Sequence, residues 1–165
     1  MKLGRVLRHL FATRWNTRRR FPPQTLALIE TAIREAERLH AGEIRFAVET
    51  ALDLPEVCAD LPPRTRALQI FGQLGVWDTA ANNGVLIYLL LADRVVEIVA
   101  DRGIAVHIDP VEWSAICQEM ERCYGDDKFS EGTVAGVLAV GRLLGRHFPG
   151  RGDDPDELPN QPVLL

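Results

Sequence analysis

The run Val85-Leu86-Ile87-Tyr88-Leu89-Leu90-Leu91 is apolar at every position. A strand with no polar face fits the middle of a sheet covered by helices on both sides. Four residues later Val95, Val96, Ile98 and Val99 form a second run of β-formers, broken only by Glu97. The turn between them, Ala92-Asp93-Arg94, is short enough to make the pair an antiparallel hairpin. Upstream, residues 43–50 alternate: Ile44, Phe46 and Val48 against Glu43, Arg45 and Glu49. That period of two predicts a strand with one strongly apolar face.

Helical spacing dominates the rest. Residues 2–15 place Leu3, Val6, Leu7, Leu10 and Phe11 along one stripe, with Lys2, Arg5, Arg8, His9 and Arg14 on the other side. Pro22-Pro23 ends that segment and opens a helix over about 23–40, burying Leu26, Ile29, Ile33, Ala36 and Leu39, with Glu37 on its wet face and Gly42 as a C-terminal stop. A helix over about 63–74 follows, and Ile104 to Ile108 suit a short extended segment. Asp109, Pro110 and Glu112 then read as N-cap, N1 and N3 of a helix running to about Tyr124. A last helix spans about 130–147; its Gly132, Gly136, Gly141 and Gly145 imply close packing against the sheet. Residues 149–165 have no periodicity and hold four of the ten prolines, which predicts a tail lying over the surface or disordered.

The order is helix, strand, helix, two strands, helix, helix. The first strand and the hairpin are joined by a helical crossover, so they run parallel and right-handed. The fold class is α/β: a three-layer α-β-α sandwich around a small mixed sheet, with a β-α-β crossover, a β-hairpin and helices on both faces. Three segments result: a basic amphipathic N-terminal helix (1–21), the α/β domain (22–148) and a Pro-rich acidic tail (149–165).

Charge adds one feature. The net charge is −4, but residues 1–20 carry seven Lys/Arg and no acid, leaving about −11 on the rest. Lys2, Arg5, Arg8, Arg14, Arg18, Arg19 and Arg20 therefore form a candidate contact surface for an anionic membrane or a protein partner. Near anionic lipid each would add about 1 kcal/mol. The alternative is a helix docked on the domain with its arginines solvated. The acidic body and the lack of a nucleic-acid motif argue against nucleic acid. Cys58, Cys117 and Cys123 form neither a disulfide framework nor a CxxC pair. No apolar run reaches the ~20 residues of a membrane span, and residues 1–20 do not read as a secretory signal. These features predict a cytoplasmic protein, peripheral to the inner membrane face where the basic helix makes contact.

Strand direction brings polar residues together. Two parallel strands starting at Glu43 and after Asn83 share an edge with the end of the antiparallel strand at Asp101. Glu43, Asp78, Asn82, Asn83 and Asp101 are the candidate ligands for a divalent cation, because carboxylate and amide oxygens suit Ca²⁺ or Mg²⁺. Arg102 is the candidate anion-binding residue, and His107 a candidate acid or base at the same edge. Loop chemistry explains the same residues without a ligand: Asn-Gly favours turns, and Asp and Arg are common after strands. There is no GxSxG elbow, GxGxxG loop, Walker loop or EF-hand spacing. His9, His40, His107 and His147 show no metal spacing and read as surface or capping residues, His147 at the negative end of its helix.

Gly42-Glu43-Ile44, Asn82-Asn83-Gly84-Val85-Leu86-Ile87, Asp93-Arg94 and Arg102-Gly103-Ile104, in that order over about residues 25–147, resemble the TPM domain. That family includes thylakoid phosphatase-like, photosystem-repair and nematode receptor-modulating proteins. The resemblance implies a small sheet between helices, and marks Glu43, Asn82, Asn83, Asp93, Asp101 and Arg102 as a candidate site with no assigned catalytic step. Some members are reported as acid phosphatases, others as calcium binders, and many are membrane-anchored or exported. This chain resembles a stand-alone bacterial subgroup lacking signal peptide and anchor. Two functions follow: a non-enzymatic interaction or assembly module with a divalent-cation site and membrane-surface contact, or a metal-assisted acid phosphatase.

Overall fold

In a computed structural model, which describes residues 3–150 and 156–165, a four-stranded mixed sheet lies between two layers of helices. In chain order the elements are α1 (Leu3–Phe11), α2 (Arg14–Arg20), α3 (Pro23–Glu37), β1 (Glu43–Glu49), α4 (Leu54–Cys58), α5 (Pro63–Gln73), β2 (Gly84–Leu90), β3 (Val95–Ala100), α6 (Arg102–Ala105), α7 (Pro110–Gly125), α8 (Phe129–His147) and β4 (Val163–Leu164). The strand order is β3-β2-β1-β4. β1 pairs parallel with β2 and with β4, and β2 pairs antiparallel with β3.

The alternation in β1 sorts the two cores. Ile44, Phe46 and Val48 join Val85, Ile87 and Leu89 in the larger cluster, which α3, α7 and α8 cover. Ala47 joins Leu86, Tyr88, Leu90 and Val99 on the other face, under Val57 of α4 and Ala67 and Ile70 of α5. β2 is buried throughout, as its unbroken apolar run requires.

The last residues belong to the fold, correcting the reading of 149–165 as a surface tail. Residues 156–165 cross the polar side of β1, and Val163–Leu164 becomes the fourth strand. The Leu165 N–H donates to Val48 O at 2.8 Å, and the Leu158 N–H donates to Glu43 Oε2 at 3.1 Å. Arg45 donates to the carbonyls of Pro159 and Gln161. All seven residues of β1 are therefore buried, including Glu43, Arg45 and Glu49.

The N-terminal helix also departs from expectation. It breaks at Ala12-Thr13, and Thr13 Oγ1 accepts the Asn16 N–H to begin α2. Its orientation is the reverse of the one expected: the polar side of α1 faces the domain. Arg5 is only 9% exposed, and its guanidinium donates to Asp93 Oδ2, Asp60 Oδ1 and Leu61 O, each at 2.9 Å. His9 Nδ1 accepts the Leu52 N–H at 3.0 Å, so Nε2 carries the ring proton toward Asp93 Oδ2, 3.1 Å away. Burial alone would raise the Asp93 carboxyl, but Arg5 and His9 outweigh it and hold it below its ordinary value. Leu3, Leu7, Leu10 and Phe11 of the apolar stripe consequently face outward, while Val6 packs against the core.

Smaller corrections follow from local bonding. Residues 104–108 are not extended: Asp101 caps the short α6, accepting the Arg102 N–H at 2.6 Å. α3 ends at Glu37 and leaves Leu39 exposed. Three α8 glycines face neighbouring helices, with Gly132 against Cys123 and Gly136 against Met120 of α7, and Gly141 against Ala36 of α3.

Candidate functional site

Strand direction does bring the polar corners to one end of the sheet. Glu43 pairs with Gly84, the Glu43 N–H donates to Asn83 O at 3.0 Å, and the Asp101 N–H donates to Gly84 O at 2.8 Å. Glu43 and Asp101 thus stand two strand spacings apart, about 10 Å between backbones. Gly84 lies between them, and a Cβ there would fall 1.9 Å from Val76 O. The Val76 loop therefore fills the gap on that face.

The residues on the Asp101 side are engaged in loop bonds. Asn82 sits in the left-handed region at φ 52°, and its Oδ1 accepts from Arg102 Nε at 3.1 Å. The Asn83 N–H donates to Thr79 Oγ1 at 3.0 Å, and its Nδ2 donates to Ala41 O. Asp101 caps α6 with one oxygen, while its Oδ2 is buried without a partner, as is Asn83 Oδ1. Asp78 is exposed in a turn closed by its N–H to Gly75 O. Arg102 is exposed, and its bond to Asn82 directs it along this loop. His107 lies against the Phe148 ring, 5.5 Å between centroids.

The carboxylates that meet Glu43 come from elsewhere. Among the described residues, Glu37, Glu43 and Asp156 bring one carboxylate oxygen each to within 4.8 Å of one another. α3 delivers Glu37 from its last turn, β1 delivers Glu43 from its first residue, and the C-terminal segment delivers Asp156. Glu37 Oε1 accepts the Ile44 N–H at 2.8 Å. Asn160, itself 8% exposed, donates through Nδ2 to Asp156 Oδ2 at 3.1 Å, while its Oδ1 has no partner. Burial, with repulsion from Glu43 and Asp156, pushes the Glu37 carboxyl up to about 8. Burial raises Glu43 as well, against the N–H groups of Leu158 and Glu157. The Arg45 charge acts on Glu37, and burial lowers the ionisation of Arg45 itself.

Sequence reasoning missed Glu37, Asp156 and Asn160. Periodicity places Glu37 on the wet face of α3, and no pattern in residues 149–165 signals their return to β1. His40 was also misread as surface or capping. It is buried, its Nδ1 accepts the Gly42 N–H at 3.1 Å, and burial lowers it to about 4.

The basic residues at the N-terminus divide in the same way. Arg5 is consumed by Asp60 and Asp93, correcting its place on the contact surface. Arg20 turns inward, 5.0 Å over the Phe129 ring and 3.8 Å from Asp127. Arg8, Arg14, Arg18 and Arg19 are exposed, and Lys2 lies outside the described residues. No helix among the described residues is long and apolar enough to cross a membrane.

No curated protein matches the chain. The BA42 protein of the psychrophilic bacterium Bizionia argentinensis is 30% identical over 86% of this chain and 93% of its own, with a TM-score of 0.74. The N-terminal domain of cg2496 from Corynebacterium glutamicum shares the fold at 15% identity, covering 74% of this chain and 72% of its own, with a TM-score of 0.54. A family model described as the TPM domain matches residues 18–143, which include the Glu43 strand, the Asn82-Asn83-Gly84 corner and the Asp93 turn. The chain belongs to the TPM domain family.

Proposed function

We propose that this TPM domain is a non-catalytic interaction module that takes up a divalent cation, Ca²⁺ or Mg²⁺, where its C-terminal segment crosses the start of β1. One observation carries the reading: three carboxylates converge there beside a buried amide oxygen with no partner, the Oδ1 of Asn160. The donors are all hard oxygens, the set such ions prefer. Glu43, Glu37 and Asp156 would hold the ion, and Asn160 Oδ1 is the neutral donor within reach after rotation of its amide. A bound cation would relieve the repulsion among the three acids and fasten residues 156–160 to β1. Calcium binding by some family members supports the reading. The loop bonds of Asn82, Asn83 and Arg102 favour binding over turnover, because these groups already serve the fold.

Calorimetric titration of Ca²⁺ and Mg²⁺ into metal-free protein tests it. Binding is expected in the wild type and should weaken about tenfold or more in Glu43→Gln and Asp156→Asn, since affinity follows the charge of the ligand set. Absence of heat, or equal affinity in the variants, overturns the site. Phosphate release that disappears with chelator and in Glu43→Gln would replace this reading with a metal-assisted phosphatase.

A further inference from the structure

The N-terminal helices present a second surface, independent of the acidic cluster. α1 turns Arg5 and His9 inward, which leaves Leu3, Leu7, Leu10 and Phe11 outward, followed by Trp15 on α2. Their exposure runs from 43% at Leu7 to 71% at Phe11. Leu54 of α4, which packs beside α1, is also exposed. Scattered exposed apolar residues need no explanation; five large ones in sequence on an amphipathic segment do. The inward pairs hold this orientation, because reversing α1 would leave the buried Asp93 carboxylate unpaired.

Charge selects the occupant. Arg8, Arg14, Arg18 and Arg19 are exposed along the same two helices, which contain no acidic residue. The nearby Asp60 and Asp93 are already paired with Arg5 and Arg8. A second copy of the chain docking on this stripe would bring two sets of arginines together. An anionic lipid surface instead accepts apolar side chains, a tryptophan at the boundary and flanking arginines. The geometry points to α1 and α2 as a peripheral docking face for anionic membrane, with Leu7, Leu10, Phe11 and Trp15 inserted and Arg14, Arg18 and Arg19 at the headgroups.

The acidic cluster at the start of the strands does not oppose this. α1 is pinned at Asp93 and Leu52, beyond the ends of β2 and β1, whereas Glu37, Glu43 and Asp156 lie at their starts. Seven residues of strand separate the two ends by about 20 Å, more than two screening lengths at physiological salt.

Co-sedimentation of the full chain with phosphatidylglycerol-containing vesicles, and with vesicles of phosphatidylcholine alone, tests the proposal. Binding is expected only to the anionic vesicles, should fall with added salt, and should be accompanied by a blue shift of Trp15 fluorescence that is absent in Trp15→Phe. Each arginine at the surface contributes about fivefold, so Arg14→Glu with Arg18→Glu should weaken binding by at least about 25-fold. Leu7→Glu with Phe11→Glu should abolish it while leaving the thermal melt in place, because both residues are exposed in the free protein. Equal binding to both vesicle types, or binding that survives both pairs of substitutions, overturns the proposal. So does a dimer in light scattering that dissociates in the Leu7→Glu and Phe11→Glu variant without any vesicle binding.

Discussion

His40 shows how one side chain can carry a pH dependence for the whole domain. It is buried beside Gly42, Gly141 and Gly150, and burial lowers it from 6.5 to about 4. The unfolded chain therefore takes up a proton that the folded chain refuses. The resulting stability is fully present above about pH 6.5 and is lost as pH falls toward about 4. Glu37 acts with the opposite sign: it is raised from 4.5 to about 8, so its contribution fades as pH rises through that interval. His40→Asn keeps an acceptor for the Gly42 N–H and removes the titration. Urea melts across acid pH should show a shallower loss of stability in His40→Asn than in the wild type; parallel curves would show that the ring is not the responsible group. None of this is legible in the sequence, where His40 follows a helix in an ordinary loop context.

Among the elements, α8 is where packing sets the choice of residue. A Cβ at Gly141 would lie 2.6 Å from the Ala36 Cβ, a contact with no rotamer to relieve it. Alanine gains about 1 kcal/mol of helix propensity over glycine, but overpacking a rigid contact costs about 1–3 kcal/mol. Gly141→Ala should therefore lower stability by up to about 2 kcal/mol in chemical denaturation. Gly136 meets the flexible Met120 side chain, so Gly136→Ala should cost less. The glycine spacing did announce close approach, but attributing it to the sheet was incorrect because helical periodicity does not identify a neighbour. The strands were more legible. β2 needed only its unbroken apolar run, and β1 its alternation. The short α6 was missed because Ile104 to Ile108 carry β-formers, while Asp101 supplies a cap that starts a helical turn instead.

At the scale of the molecule, the sheet separates two surfaces of opposite charge. The acidic cluster lies where β1 and β2 begin, and the basic, apolar-faced helices lie beyond where they end. On a membrane the acidic end would point away from the lipid. Coupling between sites requires a ligand to bind two conformations unequally, and the two ends are joined by a β1–β2 pair that is in register over all seven residues. The Ca²⁺ affinity measured by calorimetry should therefore change less than about twofold when anionic vesicles are added at saturation. A larger change would mean that the sheet ends communicate.

The chain alone determined its three long strands, its long helices and their layering, because a period of two or of 3.6 is local and each of these segments must bury its own apolar side. It also determined which strand ends share a rim, through the brevity of the Ala92-Asp93-Arg94 turn and the helical crossover before it. Tertiary structure decided how the two ends of the chain attach. α1 presents its polar side inward because Asp93, 88 residues from Arg5, is a buried carboxylate that must be paired. Residues 156–165 close the sheet because Glu43 and Arg45, 115 and 114 residues from Leu158 and Pro159, offer partners for their backbone. Those pairings join groups that no periodic pattern relates, and they assembled the acidic cluster and exposed the apolar stripe.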